Sequence, residues 1–257
     1  MAVNGVIFDL GHTLMYLDST WPEVFRQGAL DLAAFLDEQG LDLDGKAFAE
    51  TLLKRREEGF ARASETLREV TAEHSMRWTF AHFGLSEPGP ALLTRAINAF
   101  FAYEEAHWSA YPEAVAVLQE LAGRGLRLGM YSNATDDAFI QQLVDRLGFR
   151  PWLAPALSSA GTGIRKPDPA AFAPILAAWD LPAEAVVTVG DTLEADILGA
   201  HRAGMGSVWV RSREDARQEG DGRDEPASEE PFAPDVAIER LAELPTALQA
   251  VPRYGMI

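Results

Sequence analysis

The chain opens on a short apolar run, Val6-Ile7-Phe8, that stops at an acid, Asp9. A brief β-branched and aromatic run cut off by a polar residue is the pattern of a strand buried in a parallel sheet. From about Trp21 to Trp108 the apolar spacing becomes helical. Val24, Phe25, Leu30, Leu32, Ala33, Phe35 and Leu36 mark a first helix, with Ser19 and Thr20 as candidate caps and Pro22 near its start. Gly40 and the Asp42–Asp44 segment end it. A charged second helix is predicted over about Lys46 to Ala61, and a third over about Ser64 to Phe83, closed by Gly84. After Pro88 and Pro90 comes a fourth, over about Ala91 to Ala106, with Leu93, Ile97 and Phe100 on its apolar face. The aromatic residues here read first as core packing.

From Tyr111 the chain alternates between helix and strand. Helices are expected over Pro112–Gly123, Asp136–Leu147, Asp168–Trp179, Leu193–Ala203 and Glu239–Gln249. Strands are expected at Leu126–Tyr131, Ala185–Val189, Ser207–Val210 and Val236–Ile238, with a weak candidate at Ala156–Ser159. This alternation predicts an α/β fold: a doubly wound, Rossmann-like parallel sheet. The core takes residues 1–17 and 109–257, and residues 18–108 form an inserted all-helical domain. Within the core, 212–234 is acidic and poor in apolar residues, and reads as a mobile surface loop.

Composition narrows the classes. The chain has 257 residues, a net charge of -17 and no cysteine. Such acidity repels phosphate backbones and anionic lipid, so neither a nucleic-acid nor a membrane partner is expected. Without cysteine there is no disulfide, thiolate metal site or Cys nucleophile. The N-terminus lacks a basic segment followed by a long apolar core, and no apolar run is long enough to span a bilayer; a cytoplasmic location is expected. The pattern carries no reading of oligomeric state.

Three strand ends carry polar residues: Asp9, Ser132 with Asn133, and Asp191. In a doubly wound sheet, such carboxyl ends converge on one rim. Taken alone, Asp9 is equally a residue that ends a strand and begins a turn. Together, Asp9 and Asp191 suit a hard cation such as Mg²⁺. The Ser132 hydroxyl and nearby backbone N–H groups suit phosphate oxygens. Lys166, one of only three lysines, lies just before Pro167 and suits a phosphate or a neighbouring carboxylate.

These stretches resemble the four motifs of the haloacid dehalogenase-like (HAD) hydrolase superfamily. They are Phe8-Asp9-Leu10-Gly11-His12-Thr13-Leu14, Gly129-Met130-Tyr131-Ser132-Asn133, Lys166 in Arg165-Lys166-Pro167-Asp168-Pro169, and Gly190-Asp191-Thr192-Leu193-Glu194-Ala195-Asp196. All occur in the family's order, and the insert resembles the family's helical cap between the first two. The resemblance implies a Mg²⁺-dependent phosphatase acting on a small phosphorylated substrate. Asp9 would be the nucleophile and form an aspartyl-phosphate. Asp9, the Gly11 carbonyl and Asp191 would hold Mg²⁺, with Asp196 as a supporting carboxylate. Ser132, Asn133 and Lys166 would bind the phosphoryl group, with His12 also a candidate substrate-binding residue. The cap would hinge near Tyr16–Thr20 and Trp108–Pro112.

One position departs from the family. Its phosphatases usually carry an acid/base Asp two places after the nucleophile; here that place is Gly11. His12 is the nearest substitute by chemistry. His82, His107, Glu57 and Glu58 of the insert are others. The departure keeps two alternatives open: a 2-haloacid dehalogenase using the same nucleophile on carbon, and a non-catalytic phosphate-binding protein.

Overall fold

The computed structural model describes residues 3–85, 87–211 and 233–251. Its centre is a six-stranded, all-parallel sheet: β1 (Gly5–Phe8), β4 (Arg127–Ser132), β5 (Ala156–Ser158), β6 (Val186–Gly190), β7 (Gly206–Val210) and β8 (Val236–Ile238). The order across the sheet is β5-β4-β1-β6-β7-β8. β1 is the switch point. The chain builds outward from it through β4 to β5, then returns to its other side for β6, β7 and β8. Phe8 is in register with Met130 on one side and Val189 on the other. The strands read as continuous apolar runs because both faces are covered: Val6, Ile7 and Phe8 are fully buried.

Helices α5 (Ala114–Gly123), α6 (Asp137–Arg146), α8 (Ala173–Trp179) and α9 (Gly199–Arg202) connect the strands, with short α7 (Ser159–Thr162) after β5 and α10 (Leu244–Ala247) after β8. The helices expected over Pro112–Gly123 and Asp136–Leu147 are present as α5 and α6, and the three after them are shorter and less regular than their apolar spacing predicts. Asp168 caps a 3-10 turn, Pro169–Ala171, before α8. The stretch expected as one helix over Leu193–Ala203 opens as a π-helical turn, Leu193–Leu198. Such turns frequently mark functional sites. The final helix divides into a 3-10 turn, Leu241–Glu243, and α10.

The insert holds four helices, as expected, with one boundary moved. α1 is Trp21–Glu38, capped by Thr20; α2 is Gly45–Thr66, capped by Asp44; α3 is Ala72–His82, capped by Thr71; α4 is Pro90–His107. The sequence reading broke the chain near Ala61, but α2 continues to Thr66. Leu67 ends it in a left-handed conformation (φ 54°), where Arg68 pairs with Ile164 of the core. The stop is set by a tertiary contact rather than by a local breaker. An antiparallel ribbon of β2 (Met15–Leu17) and β3 (Trp108–Ala110) joins insert to core, pairing Leu17 with Trp108. It lies where hinges were expected, and neither strand was legible in the sequence. The acidic segment falls almost wholly on 212–232, outside the described residues. No helix among the described residues is long and apolar enough to cross a membrane.

Candidate active site

The carboxyl ends of β1, β4 and β6 meet at one rim. Asp9 follows β1 directly, and its backbone N–H donates to Val189 O of β6 at 2.8 Å. Asp191 follows β6, its carbonyl anchored by the Trp209 indole N–H at 2.8 Å. Asp196 is carried back toward the rim by the π-helical turn. Its Oδ2 accepts from the Thr192 N–H at 3.0 Å. Gly190 is needed here, because a Cβ at that position would collide with the Asp196 carboxylate.

Lys166 joins these groups. Its ammonium is buried and donates to Asp9 Oδ1 and Asp196 Oδ1, at 2.6 Å each. Burial alone would lower the pKa of this amine, but the Asp196 and Asp9 carboxylates outweigh it and hold the pKa above its usual value. The lysine is therefore a fixed cation. Asn133 sets its place: Asn133 Oδ1 accepts from the Lys166 backbone N–H, and Asn133 Nδ2 donates to the Lys166 carbonyl, both at 2.9 Å. The side chain expected to touch substrate thus clasps the main chain of Lys166. Ser132, nearly buried, ends β4 beside it.

Asp9, Asp191 and Asp196 can each offer an oxygen within 4.8 Å of the others. With Lys166 the four side chains carry a formal charge of -2. Hard oxygens and two net negative charges fit a divalent cation such as Mg²⁺.

Gly11 and His12 lie in the turn after Asp9. His12 takes a left-handed backbone (φ 57°) and is 6% exposed. Its ring stands edge-on to Trp108, with centroids 5.3 Å apart. Trp108 also lies 3.4 Å from where a Gly11 Cβ would be. Its indole N–H donates to Glu104 Oε1 at 3.1 Å. Burial, against the pull of Trp108 and Arg56, raises the Glu104 carboxyl to about 6.

The residue of the insert that these contacts set against the Gly11–His12 turn is Trp108, which the sequence did not single out. Glu57, Glu58 and His82 are exposed, and His107 contacts the Tyr103 carbonyl. Glu104 stands behind Trp108 through its hydrogen bond, and the Arg56 charge acts on Glu104. Arg56 is buried, its guanidinium 4.9 Å from the Phe100 ring, and its Nε has no hydrogen-bond partner among the described residues. The spacing of Glu104 on α4 and Trp108, the first residue beyond it, was the one sequence signal for this wall.

A capped parallel α/β fold, with an aspartate at the central strand end and a buried lysine on it, defines a class of aspartate-dependent hydrolases. The chain belongs to the haloacid dehalogenase-like hydrolases, whose family model matches residues 3–204. It is 31% identical over 225 residues to a ribulose-1,5-bisphosphate 5-phosphatase of Halopiger xanaduensis, covering 83% of this chain and 87% of that one. It is 29% identical over 248 residues to a glyceraldehyde 3-phosphate phosphatase of Methanopyrus kandleri, covering 94% and 95%. Among solved structures, a 2-haloacid dehalogenase from Pseudomonas syringae superposes with a TM-score of 0.67 at 25% identity, covering 96% of this chain and 98% of that one.

Proposed function

We propose that the chain is a Mg²⁺-dependent phosphatase that hydrolyses small phosphomonoesters through an aspartyl-phosphate on Asp9. The observation that carries this reading is the Lys166 ammonium shared between Asp9 and Asp196, with Asp191 in the same group of carboxylates. Mg²⁺, held by Asp9, Asp191 and the Gly11 carbonyl with Asp196 in support, would shield the phosphate charge. An Asp9 oxygen attacks phosphorus, the bond to the ester oxygen breaks, and the leaving oxygen takes a proton from water to depart as the alcohol. Lys166 and Ser132 hold the equatorial oxygens as charge builds on them; such positioning is most of the catalysis in phosphoryl transfer. Water then cleaves the acyl-phosphate and frees Asp9. The insert 18–108 acts as the cap over this centre. A cysteine-free chain needs no oxidising compartment for disulfides, and we take the enzyme to work in the cytoplasm.

A second reading is supported by Gly11 and by the likeness to a 2-haloacid dehalogenase. There Asp9 would attack carbon and halide would leave. That chemistry needs neither an acid at position 11 nor a metal. The grouping of Asp9, Asp191 and Asp196 favours the phosphatase.

The deciding experiment is hydrolysis of 4-nitrophenyl phosphate with Mg²⁺ and with EDTA, beside Asp9→Asn. Turnover that requires both Mg²⁺ and Asp9 is expected. Release of halide from 2-haloacids, with no phosphate release, would transfer the assignment to the second reading. Phosphate binding without either turnover would make the chain a binding protein.

A further inference from the structure

The seam between cap and core is held at the turn that follows α2. The Glu69 N–H donates to Gly163 O at 3.1 Å, the Arg165 N–H to Leu67 O at 3.0 Å, and the Ala72 N–H to Thr135 O at 2.7 Å. Arg68 pairs with Asp168 at 2.8 Å. In the middle lies Glu69, whose side chain is 0% exposed. Its Oε2 accepts from Arg165 Nη1 at 2.6 Å and from Ser159 Oγ at 2.5 Å.

Each partner leads into the catalytic rim. Arg165 immediately precedes Lys166. The Ser159 hydroxyl also accepts from the Ala134 N–H at 2.9 Å, and Ala134 follows Ser132 and Asn133. The Asn133 amide then closes the circuit by clasping the Lys166 backbone. One carboxylate of the cap thus ties together the two core loops that carry Ser132 and Lys166. A buried carboxylate is tolerated only when paired and hydrogen-bonded. The Val70 N–H of its own segment donates to Oε1 at 3.1 Å, but both partners of Oε2, the Arg165 cation included, belong to the core, so the buried carboxylate has its counter-charge only when the cap is seated.

We propose that Glu69 is a positioning residue that makes assembly of the phosphate-binding half of the site depend on cap closure. With the cap seated, Glu69 fixes Arg165 and Ser159, and so the settings of Lys166 and of the Ser132-Asn133-Ala134 turn. With the cap raised, Arg165 and Ser159 lose their common acceptor and the two loops are free to separate. The consequence for rate rests on the phosphatase reading; the consequence for the seam does not.

The test is backbone hydrogen exchange on the wild type, Glu69→Gln and Glu69→Ala, with 4-nitrophenyl phosphate kinetics on the same samples. Glu69→Gln keeps the shape and removes the charge, so it remains informative if the alanine variant folds poorly. The expected result is exchange faster by about tenfold or more at Ala72, Arg165 and Lys166 in Glu69→Ala, less in Glu69→Gln, with β1 and β6 unchanged. Small misplacements of reacting groups lower rates by up to ~10²-fold, so kcat per folded molecule should fall in the same order. The proposal is overturned if the Lys166 amide is unaffected, or if all amides accelerate together, which is the sign of general destabilisation. If no variant, wild type included, turns over the ester, the phosphatase reading fails and the exchange pattern alone decides the role of Glu69.

Discussion

The indole of Trp108 stands 3.4 Å from the point a Cβ on Gly11 would occupy. The acid/base position of the family's phosphatases is thus bordered by an aromatic edge as well as empty of a side chain. The Cβ of an introduced Asp would fit in van der Waals contact with the indole, and its carboxylate would adjoin that ring. Gly11→Asp alone is therefore expected to cost about 1–3 kcal/mol, the usual range for overpacking, and to give little rate on alkyl phosphates. Gly11→Asp with Trp108→Phe should gain at least tenfold on an alkyl phosphate, within the ~10²–10⁴-fold range of general acid help. Aryl phosphates, whose leaving groups need no proton, should gain far less. An equal gain on both substrates would show that the pair does not govern leaving-group protonation.

The sheet and the rim were legible because each strand is a short apolar run ending in a polar residue, and topology brings such ends together. Asp9, Ser132, Asp191 and Lys166 needed no side-chain information to be placed near one another. What was not legible depends on contacts between distant segments. α2 runs past its expected end because Leu67 and Arg68 meet the core at Ile164 and Arg165. The three-residue strands of the ribbon exist only by pairing with each other. Asn133 reads as a phosphate ligand in sequence, yet its amide matches the Lys166 main chain across 33 positions. Glu69 sits in a polar turn with no periodicity to mark it, and becomes visible only when Arg165 and Ser159 are placed around it.

The Lys166 ammonium lies 2.6 Å from both Asp9 Oδ1 and Asp196 Oδ1. Replacing it with Met would leave two carboxylates facing each other with their shared cation gone. Breaking a buried pair in this way costs roughly 3–5 kcal/mol. Lys166→Met should therefore lose that much stability in urea titrations with EDTA. Asp196→Asn placed on top should cost less than it does in the wild type, because neighbouring charges are not additive. Strict additivity in this double-mutant cycle would mean that Lys166 and Asp196 are not energetically coupled.

Metal binding can be read without catalysis. A cation that binds the folded state alone stabilises it by about 2.7 kcal/mol at one hundred times its dissociation constant. Thermal unfolding of the wild type should move upward with MgCl₂ and not with NaCl at equal ionic strength. Asp191→Asn keeps the side-chain shape and removes one charge from the group, so its Mg²⁺-dependent shift should largely vanish. A full shift in Asp191→Asn would take Asp191 out of the metal site.

Glu104 gives stability a defined pH dependence. Its carboxyl is raised from 4.5 to about 6 by burial, with the Trp108 N–H and Arg56 opposing. The folded state therefore holds this proton more tightly than the unfolded chain does. The stability it contributes is fully present below about pH 4.5 and is lost as pH rises through about 6. The shift corresponds to about 2 kcal/mol at 1.36 kcal/mol per unit. Glu104→Gln keeps an acceptor for the Trp108 indole but cannot ionise. Unfolding free energies of both proteins, measured from pH 4 to pH 7.5, should then show the variant gaining on the wild type by about 2 kcal/mol across that window. Other titrating groups cancel in the difference. A flat difference would mean that Glu104 ionises as easily in the folded protein as in the unfolded chain, and that the wall behind Trp108 is open to water.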